Sequence, residues 1–211
     1  MARTKEFDPD AVLEQAVELF RERGYEATSM ADLVERLGVA RASLYATFGS
    51  KQEFFAKALQ RYLDRTDPVL LGELSQPGPV LPAVRALVHR FAAEAAEDQR
   101  QRGCLVTNSA VELAAREPAV ARLVAASWAH LETALTAALL RAQAQGELAA
   151  DAEPRALARF LLVFLQGVRV LGRTPDAAVR LRDAARIAVA VLGRAGAEPE
   201  PGPLSQPVVL E

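Results

Sequence analysis

A chain of 211 residues is long enough for one large domain or for a small head carried on a larger body. Its balance of 51% hydrophobic and 25% charged residues excludes a disordered or fibrous chain. A single cysteine, Cys104, excludes an internal disulfide and a multi-cysteine zinc site, and with only His89 and His130 besides, neither metal nor other cofactor is expected.

The formal net charge of −2 gives no sign of a nucleic-acid partner, so the placement of the cations matters more than their sum. From Arg36 to Arg61 the chain carries Arg36, Arg41, Lys51, Lys57 and Arg61 against Glu53 alone, which predicts a local basic surface. The neighbouring acids gather between Asp8 and Glu26. No run approaches the roughly 18 uninterrupted apolar residues of a membrane span, so no membrane partner is expected. The first six residues have no apolar stretch behind their charges, which predicts no secretory signal and a cytoplasmic location.

The chain reads as helices throughout. Asp8-Pro9 opens the first, with Asp as N-cap and Pro at the first helical position; Val12, Leu13, Ala16, Val17, Leu19 and Phe20 follow at helical spacing, and Gly24 ends it. Thr28 or Ser29 caps a short second helix that stops at Gly38, and Arg41 to Ala46 forms a third. Ser50-Lys51-Gln52-Glu53 is a capping box that opens a longer fourth. Gly72 to Pro82 is the clearest break and predicts a surface connection. Beyond it, helices are expected over 83–97, 104–115, 118–145, 154–172 and 175–193. The Pro-rich end has no periodic face and reads as a mobile tail. The predicted fold is all-α, with about nine helices, a head over 1–63, a body over 64–196 and the tail over 197–211.

Two short helices joined by a tight glycine turn, near 29–37 and 40–46, have helix-turn-helix dimensions. The second must protrude into a major groove about 12 Å wide while its neighbours bury the residues that hold it. Leu33, Val34, Leu37, Val39 and Leu44 are expected to face inward, leaving Arg41, Ala42, Ser43 and Tyr45 outward.

The stretch Phe20-x-x-x-Gly24-Tyr25-x-x-Thr28-Ser29-Met30, followed by Leu37-Gly38-Val39-x-x-x-Ser43-Leu44-Tyr45-x-x-Phe48-x-Ser50-Lys51-x-x-Phe54, resembles the TetR/AcrR family of regulators. The resemblance implies a three-helix DNA-binding head on a helical body that binds a ligand and dimerises. Carried over by position, it implies that Thr28 contacts a phosphate at a helix N-terminus. Tyr45 and Lys51 would hold phosphates on either side of the recognition helix. Arg41, Ala42 and Ser43 would face base edges, Arg41 suiting guanine and Ala42 a thymine methyl, with Thr47 at the far end. Arg3 and Lys5 would form a short basic arm. The template fits less well at Ala46 and Thr47, where family members often carry a bulky aromatic and a histidine, and at Val34, where a small alanine is common. Two plainer readings stand beside these: Tyr45 as a half-buried core aromatic, and Lys51 as a solvated first-turn lysine.

In the body, the helix near 154–172 carries an apolar stripe of Leu157, Leu161, Phe164, Val168 and Leu171, and the helix near 175–193 one of Ala177, Leu181, Ala184, Ala188 and Val191. Leu162, Val163, Leu165, Ile187, Val189 and Leu192 add a second apolar side. The resemblance implies a four-helix homodimer seam; a central buried hairpin of a monomer is the alternative. Dimerisation would let two recognition helices read a palindromic operator on double-stranded DNA. An effector cavity for a small, mostly apolar molecule is expected among Phe91, Cys104, Asn108, Glu112, Trp128, Leu131, Phe160, Phe164 and Gln166. Cys104, Asn108 and Glu112 are spaced to share one helix face, either lining that cavity or satisfying nearby backbone and solvent.

Cys104 also admits a sharper reading. Arg100, Arg102 and a helix N-terminus beside it would favour a thiolate that senses electrophiles or oxidants, a role the resemblance includes for some members. The alternative is an inert buried thiol. No Gly-rich phosphate loop, paired-carboxylate motif, metal spacing or nucleophile elbow supports an enzyme. The expected function is a ligand-responsive repressor released from its operator by the effector. A DNA-architectural protein without a ligand is the rival from another class.

Overall fold

A computed structural model of the chain describes residues 7–98 and 100–194. The expected arm residues Arg3 and Lys5 and the Pro-rich tail over 197–211 lie outside the described residues. Within them the chain forms nine helices and no strand: α1 (Pro9–Arg23), α2 (Met30–Leu37), α3 (Arg41–Phe48), α4 (Lys51–Leu74), α5 (Val80–Glu97), α6 (Leu105–Glu112), α7 (Pro118–Ala144), α8 (Pro154–Leu171) and α9 (Ala178–Arg194).

The first four helices begin and end where local chemistry dictates. The Asp8 carboxylate accepts from the Asp10 amide at 2.9 Å and opens α1. Ser29, not Thr28, caps α2: its hydroxyl accepts from the Asp32 amide at 3.1 Å, and Asp32 accepts from the Ser29 amide at 2.8 Å. Gly38 ends α2 with φ at 65°, a left-handed turn that a glycine enters without strain. Ser50 and Glu53 close the same reciprocal box at the start of α4. Gly49, at φ 83°, takes a backbone conformation that strains any other residue, and a Cβ there would push the Glu53 carboxylate out of its box.

These helices bury a core of aromatic rings. Phe48 and Phe54 stack at 4.2 Å with their planes 5° apart, Phe20 meets Phe55 edge-on at 4.8 Å, and Tyr25 meets Phe55 at 5.1 Å. The core does not end with the head. Leu105, Val106 and Leu113 around α6, and Val120 and Val124 of α7, join the same cluster. α4 itself runs through residue 63, where the sequence suggests a boundary, to Leu74. Head and body are therefore coupled through shared packing as well as through the chain.

A second core lies under α5, α7, α8 and α9, around Val84, Val88, Leu135, Leu139, Leu161, Leu165 and Leu181. α5 begins at Val80, earlier than the sequence pattern predicts, because Glu147 caps it from a distance: its carboxylate accepts from the amides of Val80 and Leu81 at 2.8 and 2.9 Å. α7 is long and apolar enough to cross a membrane by length and composition. Its Leu131, Leu135 and Leu139 instead pack into the body core, as a central helix of a globular fold does.

Candidate functional site

Leu44 and Phe48 are buried and hold α3 down, so the opposite side of the helix is presented outward. Arg41 and Ala42 are exposed, Ser43 and Thr47 half-buried. Tyr45 is 40% exposed, with its ring 5.7 Å from the Arg41 guanidinium, which sets aside the core-aromatic reading. Lys51 lies over the Tyr25 ring at 4.0 Å, a cation–π contact that orients its ammonium instead of leaving it simply solvated. Arg41, Ala42, Ser43, Tyr45, Thr47 and Lys51 thus cluster around one protruding helix.

Thr28 does not belong with them. Its side chain is 0% exposed and its hydroxyl donates to the Gly24 carbonyl at 2.6 Å. The phosphate role expected of it is corrected: the loop between α1 and α2 folds this hydroxyl inward, and the exposed hydroxyl at the start of α2 is that of Ser29.

The charge problem resolves by position. Glu14 pairs with Arg61 at 2.6 Å and Arg65 at 3.2 Å, Glu18 with Arg21 at 3.3 Å and Arg102 at 3.5 Å, Glu22 with Arg100 at 3.2 Å, and Glu26 with Arg116 at 3.0 Å. The α1 acids therefore engage α4 and the body. Such partly exposed pairs stabilise by at most about 1 kcal/mol each, but they fix where the charge lies. The predicted basic surface shrinks by the same accounting. Arg61 is tied to Glu14, Lys57 donates to the Phe48 carbonyl at 3.0 Å, and Arg36 shares a groove with Glu14 and Glu18. Arg41, Lys51 and Lys57, whose bond to a neutral carbonyl leaves its charge in place, remain as the cations beside α3 among the described residues.

Where α1, α4, α5, α7 and α8 meet Cys104, the chain leaves a cavity of about 350 Å³. Phe91, Cys104, Trp128, Leu131 and Gln166 line it as expected. Four other candidates do not. Asn108 is buried and donates to the Arg102 carbonyl at 2.9 Å. Glu112 accepts from the amides of Tyr25 and Glu26 at 3.0 and 2.7 Å, clasping the start of the α1–α2 loop. Cys104 is the N-cap of α6 and has left helical geometry, so the spacing that joined these three on one face does not hold. Phe160 and Phe164 pair with each other at 6.3 Å; Phe160 is 39% exposed on the outer side of α8, and Phe164 packs beside the body core.

The sequence reading missed the polar wall of the cavity: Arg21, Tyr62, Asp67, Arg90, Ser127 and Arg169. Arg169 had a signal, being a cation inside the apolar run Val168 to Leu171. Arg21 and Tyr62 had none, because each is brought in by packing between head and body. Tyr62 is buried and its hydroxyl donates to the Cys104 sulfur at 3.7 Å. Burial first, and the neighbouring thiol second, raise its phenol well above the ordinary range, so it stays protonated. The cations that favoured a Cys104 thiolate are spent elsewhere, Arg100 on Glu22 and Arg102 on Asp98 and Glu18. Asp67 accepts from the Ser127 hydroxyl at 3.4 Å, and burial raises its carboxyl above the usual range.

Comparison with known proteins agrees with this geometry. The sequence profile of the bacterial regulatory proteins of the tetR family matches residues 12–58, and that of the tetracyclin repressor-like C-terminal domain matches residues 80–188. The uncharacterized HTH-type transcriptional regulator YezE of Bacillus subtilis is 36% identical over 193 residues, 91% of this chain and 100% of its own. The HTH-type transcriptional repressor ComR of Escherichia coli is 33% identical, over 81% of this chain and 82% of its own. Among solved structures, a cysteine mutant of the TetR family transcriptional regulator CifR complexed with 26-bp double-strand operator DNA superposes with a TM-score of 0.78 at 31% identity, covering 89% of this chain and 98% of that one. The chain belongs to the tetR family of bacterial regulatory proteins.

Proposed function

We propose that the chain acts in the cytoplasm as a homodimeric transcriptional repressor, not an enzyme, that leaves a palindromic operator when a small molecule occupies the body cavity. The observation that carries this reading is the protruding face of α3, with Arg41, Ala42, Ser43 and Thr47 along it and Tyr45 and Lys51 at its margins. Tyr45 and Lys51 contact phosphates and fix the register, and the α3 residues face base edges. The likeness to a repressor and to a regulator complexed with operator DNA supports the same conclusion.

The dimer is formed by α8 and α9. Their inner faces are spent on the body core through Leu161, Leu165, Leu181 and Ala188. Their outer faces leave Val163 71%, Val170 46%, Leu171 45%, Val179 60% and Ile187 55% exposed, an apolar surface that a second copy covers. Two recognition helices related by that axis read half-sites one turn apart, about 34–36 Å. A ligand that alters the separation weakens DNA binding, and DNA weakens the ligand by the same factor.

Selection of duplexes from a randomised pool tests this reading. Enrichment of one palindromic sequence, bound by a dimer, is the expected result. Recovery of duplexes without a shared sequence would contradict it and favour an architectural DNA binder.

A further inference from the structure

Four buried side-chain nitrogens lack a hydrogen-bond partner among the described residues: Nε of Arg21, Arg85 and Arg169, and Nε1 of Trp128. Those of Arg21, Trp128 and Arg169 belong to residues lining the same cavity. Each is a donor. Leaving a buried donor unpaired is costly, so three such residues around one cavity bias its wall toward a ligand that brings acceptors.

The two arginines are also held in position. The Arg169 guanidinium stacks on Phe91 at 4.2 Å and donates through Nη2 to Glu94 at 3.2 Å. Arg21 lies over Tyr62 at 5.6 Å and donates through Nη2 to the Gly103 carbonyl at 3.1 Å. With its face against a ring, the Arg169 guanidinium is anchored by one terminal nitrogen and that of Arg21 by both, Nη1 also donating to Glu18, so each is held on the wall. Gln166 adds to the same bias, because its oxygen already accepts from the Thr107 hydroxyl at 2.8 Å and its amide nitrogen is what it has left.

The acceptors on the wall are engaged. Glu94 is paired with Arg90 and Arg169, and Asp67 accepts from Ser127 and lies 4.0 Å from His130. A cationic ligand would have to displace those partners, whereas an anion meets a wall on which Arg21, Arg65, Arg90 and Arg169 outnumber Asp67 and Glu94.

We propose that the effector is an amphipathic anion, a carboxylate on an aromatic or aliphatic body, whose charged end is taken by Arg169 and Arg21. Its apolar part lies against Phe91, Trp128 and Leu131. This rests on the reading of the cavity as the effector site. It also gives the signal a short route, since Arg21 stands in the last turn of α1, inside the DNA-reading head. An anion drawing on Arg21 competes with Glu18 and the Gly103 carbonyl, the contacts that join α1 to the segment before α6.

Trp128 is the only tryptophan in the chain, so its fluorescence reports on the cavity directly. The probes are phenylalkanes of graded chain length, each prepared as carboxylic acid, alcohol and amine. The acids are expected to bind at least about tenfold tighter than the matching alcohols, and the amines more weakly still. Arg169→Gln should reduce the acid preference to about twofold or less and leave the alcohols unchanged. The wild-type comparison stands even if that variant misfolds. Alcohols or amines that match the acids, or a whole acid series that leaves the fluorescence unchanged, overturn the proposal. So does acid binding that leaves the selected operator occupied. Failure to bind DNA with no probe present breaks the regulator reading instead, and the two failures are separable in the same samples.

Discussion

In the head, the ends of α1, α2 and α4 are closed by Asp8, by Ser29 with Asp32, and by Ser50 with Glu53, over a core of stacked phenylalanines. On the wall of the cavity between head and body, by contrast, Arg21, Trp128 and Arg169 each keep a nitrogen without an acceptor among the described residues. Both regions bury helices, but the starts of the head's helices are closed by neighbouring residues, whereas the cavity wall keeps donors in reserve. A unit that presents side chains to a rigid duplex gains from having its own groups satisfied. A unit that must respond to a small molecule gains from groups that only the ligand completes.

The contrast can be broken most forcefully at Phe54, which is 1% exposed and stacks on Phe48 at 4.2 Å. Phe54→Ala should destabilise the protein by about 3–5 kcal/mol in urea unfolding, and DNA binding should be lost with the head. A loss below about 1 kcal/mol would show that the head does not depend on its aromatic core. Next comes the outer face of α8. Val163→Asp, at a site 71% exposed, should leave the monomer folded but weaken the dimer by about thirtyfold or more in sedimentation. An unchanged dimer would place the seam elsewhere.

A smaller and more local effect is expected on the reading helix. Arg41→Ala should cost about 1–3 kcal/mol of operator affinity and relax the preference at a single base pair, as read by binding to point-mutated duplexes. Equal weakening on every sequence would reassign Arg41 to a phosphate. The smallest effect concerns Asp67 on the cavity wall. Its folded pKa is raised by burial, so the folded state holds the proton more tightly than the unfolded chain does. Stability contributed by Asp67 should therefore fall as pH rises from the ordinary carboxylate range through the raised value. Asp67→Asn should remove that slope in thermal unfolding across pH, and a slope of the opposite sign would mean that a partner stabilises the carboxylate.

The same contrast explains what the sequence could reveal. The head was legible because its signals are local: Ser50 and Glu53 are three residues apart, and Gly38 sits where the turn needs a left-handed residue. Thr28 misled because its neighbour Ser29 does the capping while the loop folds the Thr28 hydroxyl onto Gly24. The body was legible as helices but not as a site. Glu147 caps α5 and Glu112 clasps the α1–α2 loop across long stretches of chain, and neither partnership leaves a mark in spacing. Phe160 and Phe164 look like cavity aromatics in a list of residues. Only the rotation of α8, which turns Leu161 and Leu165 into the core, carries them away from the cavity. Arg21 belongs by sequence to the head and by position to the cavity, and packing alone decides it.

The central claim is that α3, with Tyr45 on it and Lys51 beside it placed to contact phosphates, reads DNA by sequence. Fluorescence anisotropy of the selected operator and a scrambled duplex, titrated with wild-type protein and Lys51→Ala over a salt series, tests it directly. The wild type should prefer the operator by about a thousandfold or more, with affinity falling linearly against salt on logarithmic axes. Lys51→Ala should weaken both duplexes alike and reduce the salt slope by about one for each subunit. Equal affinity for the two duplexes, or a slope untouched by the loss of Lys51, would contradict the account.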